Sequence, residues 1–131
     1  MPTPSQRLRL LIADDDETVR NLLDYHAQKR GFDVTLTEHG EEFMEVASED
    51  FDVALLDLHM APGNGFDCLK FLQAKLPDLP AVVLSSADEV QDAVTAMKAG
   101  ALDYLTKPFH RDEVFLTLRQ AVELAQLRRE N

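Results

Sequence analysis

Three aspartates stand in a row at Asp14, Asp15 and Asp16. A further aspartate stands at Asp57, two hydroxyls at Ser85 and Ser86, and a lysine at Lys107, followed by Pro108. Each set directly follows a short aliphatic run. Carboxylates crowded together raise one another's pKa, and a hard divalent cation removes that penalty. Mg2+ takes oxygen ligands, commonly one or two carboxylates with waters and phosphate oxygens. The same ion would neutralise an incoming phosphoryl group, and one carboxylate could then attack phosphorus to form an aspartyl phosphate. A lysine supplies a point charge to one phosphate oxygen, and a serine hydroxyl can donate to another. Such chemistry needs all these groups within a few ångströms of each other.

The elements between them could arrange that. Aliphatic runs fall at Leu8–Ala13, Val34–Thr37, Val53–Leu56, Ala81–Leu84 and Tyr104–Thr106. Apolar residues at helical spacing fill the intervals. One stripe is Val19, Leu22, Leu23 and Ala27, a second Phe43, Met44 and Ala47, and a third Phe66, Leu69, Leu72 and Leu76. A fourth is Val90, Val94, Met97 and Ala99, and the last Val114, Leu118, Ala121, Val122 and Ala125. Gly31 and Gly100 are placed to stop helices, and Pro77 ends the third helix after Leu76. Strand then helix, about five times, predicts an α/β fold. Continuous aliphatic strands are those buried on both faces of a parallel sheet. In such sheets ligands bind beyond the carboxyl ends of the strands, where the aspartates, Ser85 and Lys107 fall. Asp16, just before "ETVRNLL", is the expected N-cap of the first helix, accepting a backbone N–H near Val19.

The 131 residues suit one domain. A formal net charge of −11 argues against a broad basic face for nucleic acid or an anionic membrane. The lone Cys68 cannot form an internal disulfide and fits a reducing cytosol as a packing residue. No signal-peptide core and no apolar run of membrane-spanning length is present, so the expected location is cytoplasmic. Residues 1–7 are expected to be a flexible tail, residues 8–127 the domain, and residues 128–131 the start of a linker or tail.

Together "LLIADDDETVR", "VALLDLHMAPGNG", "AVVLSSADE" and "GALDYLTKPF" resemble the response-regulator receiver domains of two-component signalling. The resemblance runs from about Leu8 to Leu127, and it is the four motifs in order that carry it. It implies a doubly wound, flavodoxin-like parallel sheet in the order 2-1-3-4-5, flanked by five helices. It implies that Asp57 is the phosphoacceptor, that Asp15 binds Mg2+ (or Mn2+) directly, and that Asp14 is the second metal-site acid, acting through bound water. His59 would give the metal its backbone carbonyl. Ser85 would hydrogen-bond the phosphoryl group and Lys107 would pair with it, next to a cis Lys107–Pro108 bond. Tyr104 would be the switch aromatic that turns inward when the hydroxyl moves. The implied partners are a histidine kinase as donor, and an output domain or downstream protein controlled through the fourth helix, fifth strand and fifth helix, with a homodimer through that face or the last helix.

Two departures stand out. After the phosphoacceptor the family loop commonly reads Asp-x-x-Met-Pro; here it is "DLHMAPGNG", with proline one place later. The positions that tune phosphoryl lifetime in the family, two beyond Asp57 and two beyond Ser85, hold His59 and Ala87. The side chains of His26, His39, His59 and His110 read as surface groups, and Met44, Met60 and Met97 as packing. On the last helix, Leu116, Leu124 and Leu127 fall opposite the main apolar stripe and call for a second surface. With the "LRREN" tail, the chain most resembles receivers of AAA+ enhancer-binding transcription activators. A stand-alone receiver is the competing reading. An aspartyl-phosphate phosphatase would use similar groups, but usually has a second aspartate where His59 stands. A flavin or nucleotide module would want a glycine-rich loop where the aspartates stand.

Overall fold

The computed structural model describes residues 7–86 and 88–130. The expected tail, apart from Arg7, and Ala87 lie outside the described residues. Ten elements alternate: β1 (Leu8–Ala13), α1 (Glu17–Lys29), β2 (Phe32–Thr37), α2 (Gly40–Val46), β3 (Val53–Asp57), α3 (Gly65–Lys75), β4 (Ala81–Ser86), α4 (Val90–Lys98), β5 (Asp103–Lys107) and α5 (Arg111–Glu130). The strands are parallel, in the order β2-β1-β3-β4-β5. The doubly wound flavodoxin-like fold expected from the sequence is the one observed.

Alternation along the strands divides the core in two. Leu11, Ala13, Ala54, Leu56 and Val83 point to one face, under Phe43 of α2, Leu69 and Leu72 of α3 and Ala96 of α4. Leu10, Ile12, Val53, Leu55, Val82 and Leu84 point to the other, under Leu23 and Ala27 of α1 and Leu118 and Val122 of α5. Each fully buried leucine contributes roughly 1.5–3 kcal/mol of transfer free energy, so the three central strands anchor the sheet. Cys68 is a buried packing residue, and burial pushes its thiol up to about 12.

Local signals set the ends. Asp16 caps α1, its Oδ1 accepting from the Thr18 and Val19 N–H groups. Asn64 and Asp67 form a reciprocal capping box at the start of α3. Gly31 and Gly100 follow α1 and α4 at φ +85° and +112°, where side chains are disfavoured. Leu76 ends α3 before Pro77.

Three expectations need correction. On α4, Val90, Val94 and Met97 face solvent, and the buried pair is Ala93 and Ala96. Small side chains let the helix lie close to the sheet, so the larger ones are left outside. Leu22 of α1 is 47% exposed, and Leu23 takes the inward place. The edge strand β5 alternates instead of being buried throughout: Leu105 points in while Tyr104 and Thr106 are exposed. The helix α5 extends to Glu130. Among the described residues, no helix is long and apolar enough to cross a membrane.

Candidate functional site

Register brings the predicted residues together. Ala13 lies opposite Leu56 across β1 and β3, so Asp14 leaves the sheet beside Asp57. Asp57 pairs with Leu84, one residue before Ser85. Ser86 pairs with Lys107 at the end of β5. One carboxylate oxygen from each of Asp14, Asp15 and Asp57 lies within 4.8 Å of the other two.

Lys107 binds this cluster together. Its Nζ donates to Asp14 Oδ2 at 2.9 Å and to Asp57 Oδ2 at 3.2 Å. Asp14 is fully buried. Its other oxygen, Oδ1, accepts from the Asp16 N–H at 2.9 Å, and its carbonyl accepts from Arg20 at 2.8 Å. Asp57 Oδ1 accepts from the His59 N–H at 3.0 Å. Burial raises the Asp57 carboxyl above the ordinary aspartate range; the His59 hydrogen bond and Lys107 pull the other way, and the Asp14 charge adds to the rise. For Lys107 burial opposes the charge, but its contacts with Asp14 and Asp57 outweigh it and raise its pKa. Asp15 is exposed, with Asp16 next to it engaged as the helix cap. Three carboxylates face one ammonium here. This hard oxygen donor set, with acid groups left uncompensated, fits Mg2+ or Mn2+.

Ser85 is buried, and among the described residues its Oγ makes only a long contact of 3.4 Å, to the Ser86 carbonyl. That leaves the hydroxyl free for a stronger acceptor. Tyr104 points outward, 43% exposed. The Lys107–Pro108 bond is cis, as the resemblance implied, and Ala61–Pro62 in the shifted-proline loop is cis too.

Four features escaped the sequence. Arg20 reaches the strand end from α1. His39, read as a surface group, caps α2 through Nδ1, which accepts from the Glu42 N–H. Gly40 and Gly63 pack backbone to backbone, Gly40 N–H donating to the Gly63 carbonyl at 2.8 Å; a Cβ on Gly40 would come within 2.3 Å of that oxygen. The fourth is the His59 side chain. It is half exposed, but its Nε2 hydrogen-bonds Asp92 Oδ2 at 3.0 Å and lies against Glu89 Oε2. Burial works against an imidazolium there, yet the two carboxylates outweigh it and raise the His59 pKa. Acids at the head of a helix are visible in "ADEVQDA"; their partner 33 residues earlier is not.

An open parallel sheet with acids, a hydroxyl and a lysine gathered at its carboxyl edge defines a flavodoxin-like α/β domain with an acidic strand-end pocket. Residues 10–119 match the response regulator receiver domain family, and the chain belongs to that family. It is a receiver domain of a two-component response regulator, a signalling domain. It is 30% identical over 128 residues to a response regulator described as NtrX-like from Rickettsia felis, covering 95% of this chain and 27% of that protein. It is 33% identical over 116 residues to the cell cycle transcriptional regulator CtrA of Caulobacter vibrioides, covering 88% of this chain and 50% of that protein. The chain thus spans half or less of the length of these relatives. Among solved structures, the receiver domain of the Francisella response regulator 1452 superposes with a TM-score of 0.81 at 28% identity, over 89% of this chain and 98% of that one. NtrX from Brucella abortus, crystallised with ADP, superposes with a TM-score of 0.88 at 24% identity, over 95% of this chain and 29% of that one. The latter likeness speaks to the fold alone.

Proposed function

We propose that Asp57 accepts a phosphoryl group from the phosphohistidine of a histidine kinase, and that this switches the α4-β5-α5 face. An Asp57 oxygen attacks phosphorus; the new O–P bond forms as the N–P bond breaks, and the electron pair leaves with the imidazole. Asp14, Asp15, Asp57 and the His59 carbonyl would hold Mg2+, which when bound supplies charge neutralisation for the phosphoryl oxygens. Lys107, already within 3.2 Å of Asp57, would pair with one phosphoryl oxygen and the Ser85 hydroxyl with another. The recruitment of Ser85 would empty space into which Tyr104 turns. The added charge, about −1.5 to −2, biases this two-state face. The observation that carries the reading is Asp57 held between Lys107 and the His59 N–H, beside two further acids.

On this reading the domain assists only its own phosphorylation and dephosphorylation and turns over no outside substrate. It spans residues 8–127, and residues 128–131 begin a linker or a C-terminal tail. It works in the cytoplasm, with no nucleic acid or membrane contact of its own. Its output is transcriptional, through an attached domain or partner, as the name of the cell cycle transcriptional regulator CtrA favours. Incubation with acetyl phosphate and Mg2+, followed by intact mass, tests it: wild type gains one phosphoryl group and Asp57→Asn gains none. Uptake by neither, or equally by both, refutes it.

A further inference from the structure

We propose that Glu89 and Asp92 latch α4 to the phosphoacceptor loop through the His59 side chain, and that a phosphoryl group on Asp57 releases the latch. The inference rests on the reading of Asp57 as phosphoacceptor.

One residue serves both ends. The His59 backbone N–H donates to Asp57 Oδ1 at 3.0 Å, while its imidazole Nε2 meets Asp92 at 3.0 Å and also touches Glu89. Nε2 lies within reach of both carboxylates, and its contact with Asp92 has hydrogen-bond geometry. Glu89 Oε2 is buried and has no hydrogen-bond partner among the described residues, so the imidazole is the polar neighbour it faces. Glu89 is the first residue before α4 and Asp92 lies in its first turn. Loop and helix are thus joined by a side chain whose own backbone touches the reacting carboxylate.

Among the described residues, this end of α4 is otherwise held by the Glu89 N–H, which donates to the Ser86 carbonyl at 3.0 Å, and by few buried side chains. The helix buries only Ala93 and Ala96, and its N-cap makes no side-chain hydrogen bond. Val90, Val94 and Met97 are exposed, so movement of the helix changes an apolar surface. A phosphoryl group on Asp57 brings three acceptor oxygens and up to about two negative charges to a point two residues from His59. It competes with Glu89 and Asp92 for the imidazole, and the His59 side chain, 53% exposed, has room to swing. Coupling is reciprocal: a latch loosened by phosphorylation also opposes it. Glu89 and Asp92 are therefore positioning residues, acting on Asp57 through His59.

Amide hydrogen exchange of α4, with and without beryllofluoride and Mg2+, tests the latch in wild type, Glu89→Ala/Asp92→Ala and His59→Gln. In wild type, beryllofluoride speeds exchange at residues 89–98. In both variants exchange starts about twofold to fivefold faster, the scale of partly exposed ion pairs, and beryllofluoride adds little. The double variant also takes up phosphoryl from acetyl phosphate faster than wild type. An equal beryllofluoride increment in wild type and variants overturns the latch, as does an α4 that beryllofluoride leaves unchanged in a wild type that takes up phosphoryl. A wild type that takes up none overturns the receiver reading itself.

Discussion

Removing the Lys107 ammonium leaves Asp14 buried without its cation. Asp14 is fully buried and 2.9 Å from Nζ, and Asp57 is 3.2 Å away. Lys107→Met keeps the stem and deletes only the charge. Breaking a buried pair by removing one partner costs about 3–5 kcal/mol. The Lys107 side chain is 28% exposed and Asp14 keeps the Asp16 N–H, so the lower end applies, about 3 kcal/mol. A chain of 131 residues unfolds with an entropy of about 0.28 kcal/mol/K. The expected loss is therefore about 10 °C in Tm near neutral pH in metal-free buffer. The sign of the pH dependence follows from Asp57, whose carboxyl burial already raises. Without Lys107 it rises further. A carboxyl raised on folding costs stability as pH climbs through the window above its unfolded value, and costs nothing once protonated. The deficit of the variant should thus be largest near pH 7 and shrink by half or more toward about pH 4. Lys107 is itself raised on folding, so in wild type its contribution persists through neutrality and fades only as pH rises through its folded pKa, above 10.5. Thermal denaturation followed by circular dichroism, on both proteins at both pH values, measures the difference. A variant within about 2 °C of wild type near neutrality, or an equal deficit at both pH values, would refute the claim that Lys107 compensates buried acids.

Asp57→Asn deletes a buried charge facing Asp14 and keeps the shape, so in metal-free buffer it should raise Tm by about 4 °C, near 1 kcal/mol, and lose the Mg2+ stabilisation that wild type shows in a thermal-shift titration. Asp15→Ala, at an exposed position, should leave Tm within about 2 °C while abolishing Mg2+-dependent phosphoryl uptake. Asp16→Ser should spare both uptake and Tm, whereas Asp16→Ala should cost about 1 kcal/mol through the lost helix cap, read by urea denaturation. Leu116→Glu with Leu124→Glu should leave a folded protein whose oligomeric state, by light scattering, no longer responds to beryllofluoride; an unchanged response counts against that stripe as a contact surface.

The fold was legible because its signals are local. Aliphatic runs mark the buried strands, Asp16, Gly31, Pro77 and Gly100 mark helix ends, and strand-end chemistry follows each run. What failed did so for tertiary reasons. Periodicity sees Val90, Val94 and Met97 as a stripe, yet the face turned to the sheet is chosen by how closely the backbone approaches, which favours Ala93 and Ala96. The alternation of β5 depends on its edge position, which the resemblance implied but no residue of the strand declares. Asp14, Asp15, Asp57, Ser85 and Lys107 could be placed at one edge because each ends a strand. The His59–Asp92 contact and the Gly40–Gly63 approach each join a loop to the first turn of a helix far away in sequence, so no spacing rule reports them.

The most direct measurement locates the phosphoryl group. Wild-type protein treated with acetyl phosphate and Mg2+ is reduced with borohydride, which converts an aspartyl phosphate to homoserine, and the peptides are sequenced by tandem mass spectrometry. Conversion at Asp57 alone is expected. Conversion at Asp14 or Asp15, or at no aspartate in a protein that remains folded, would contradict the assignment of Asp57 as phosphoacceptor.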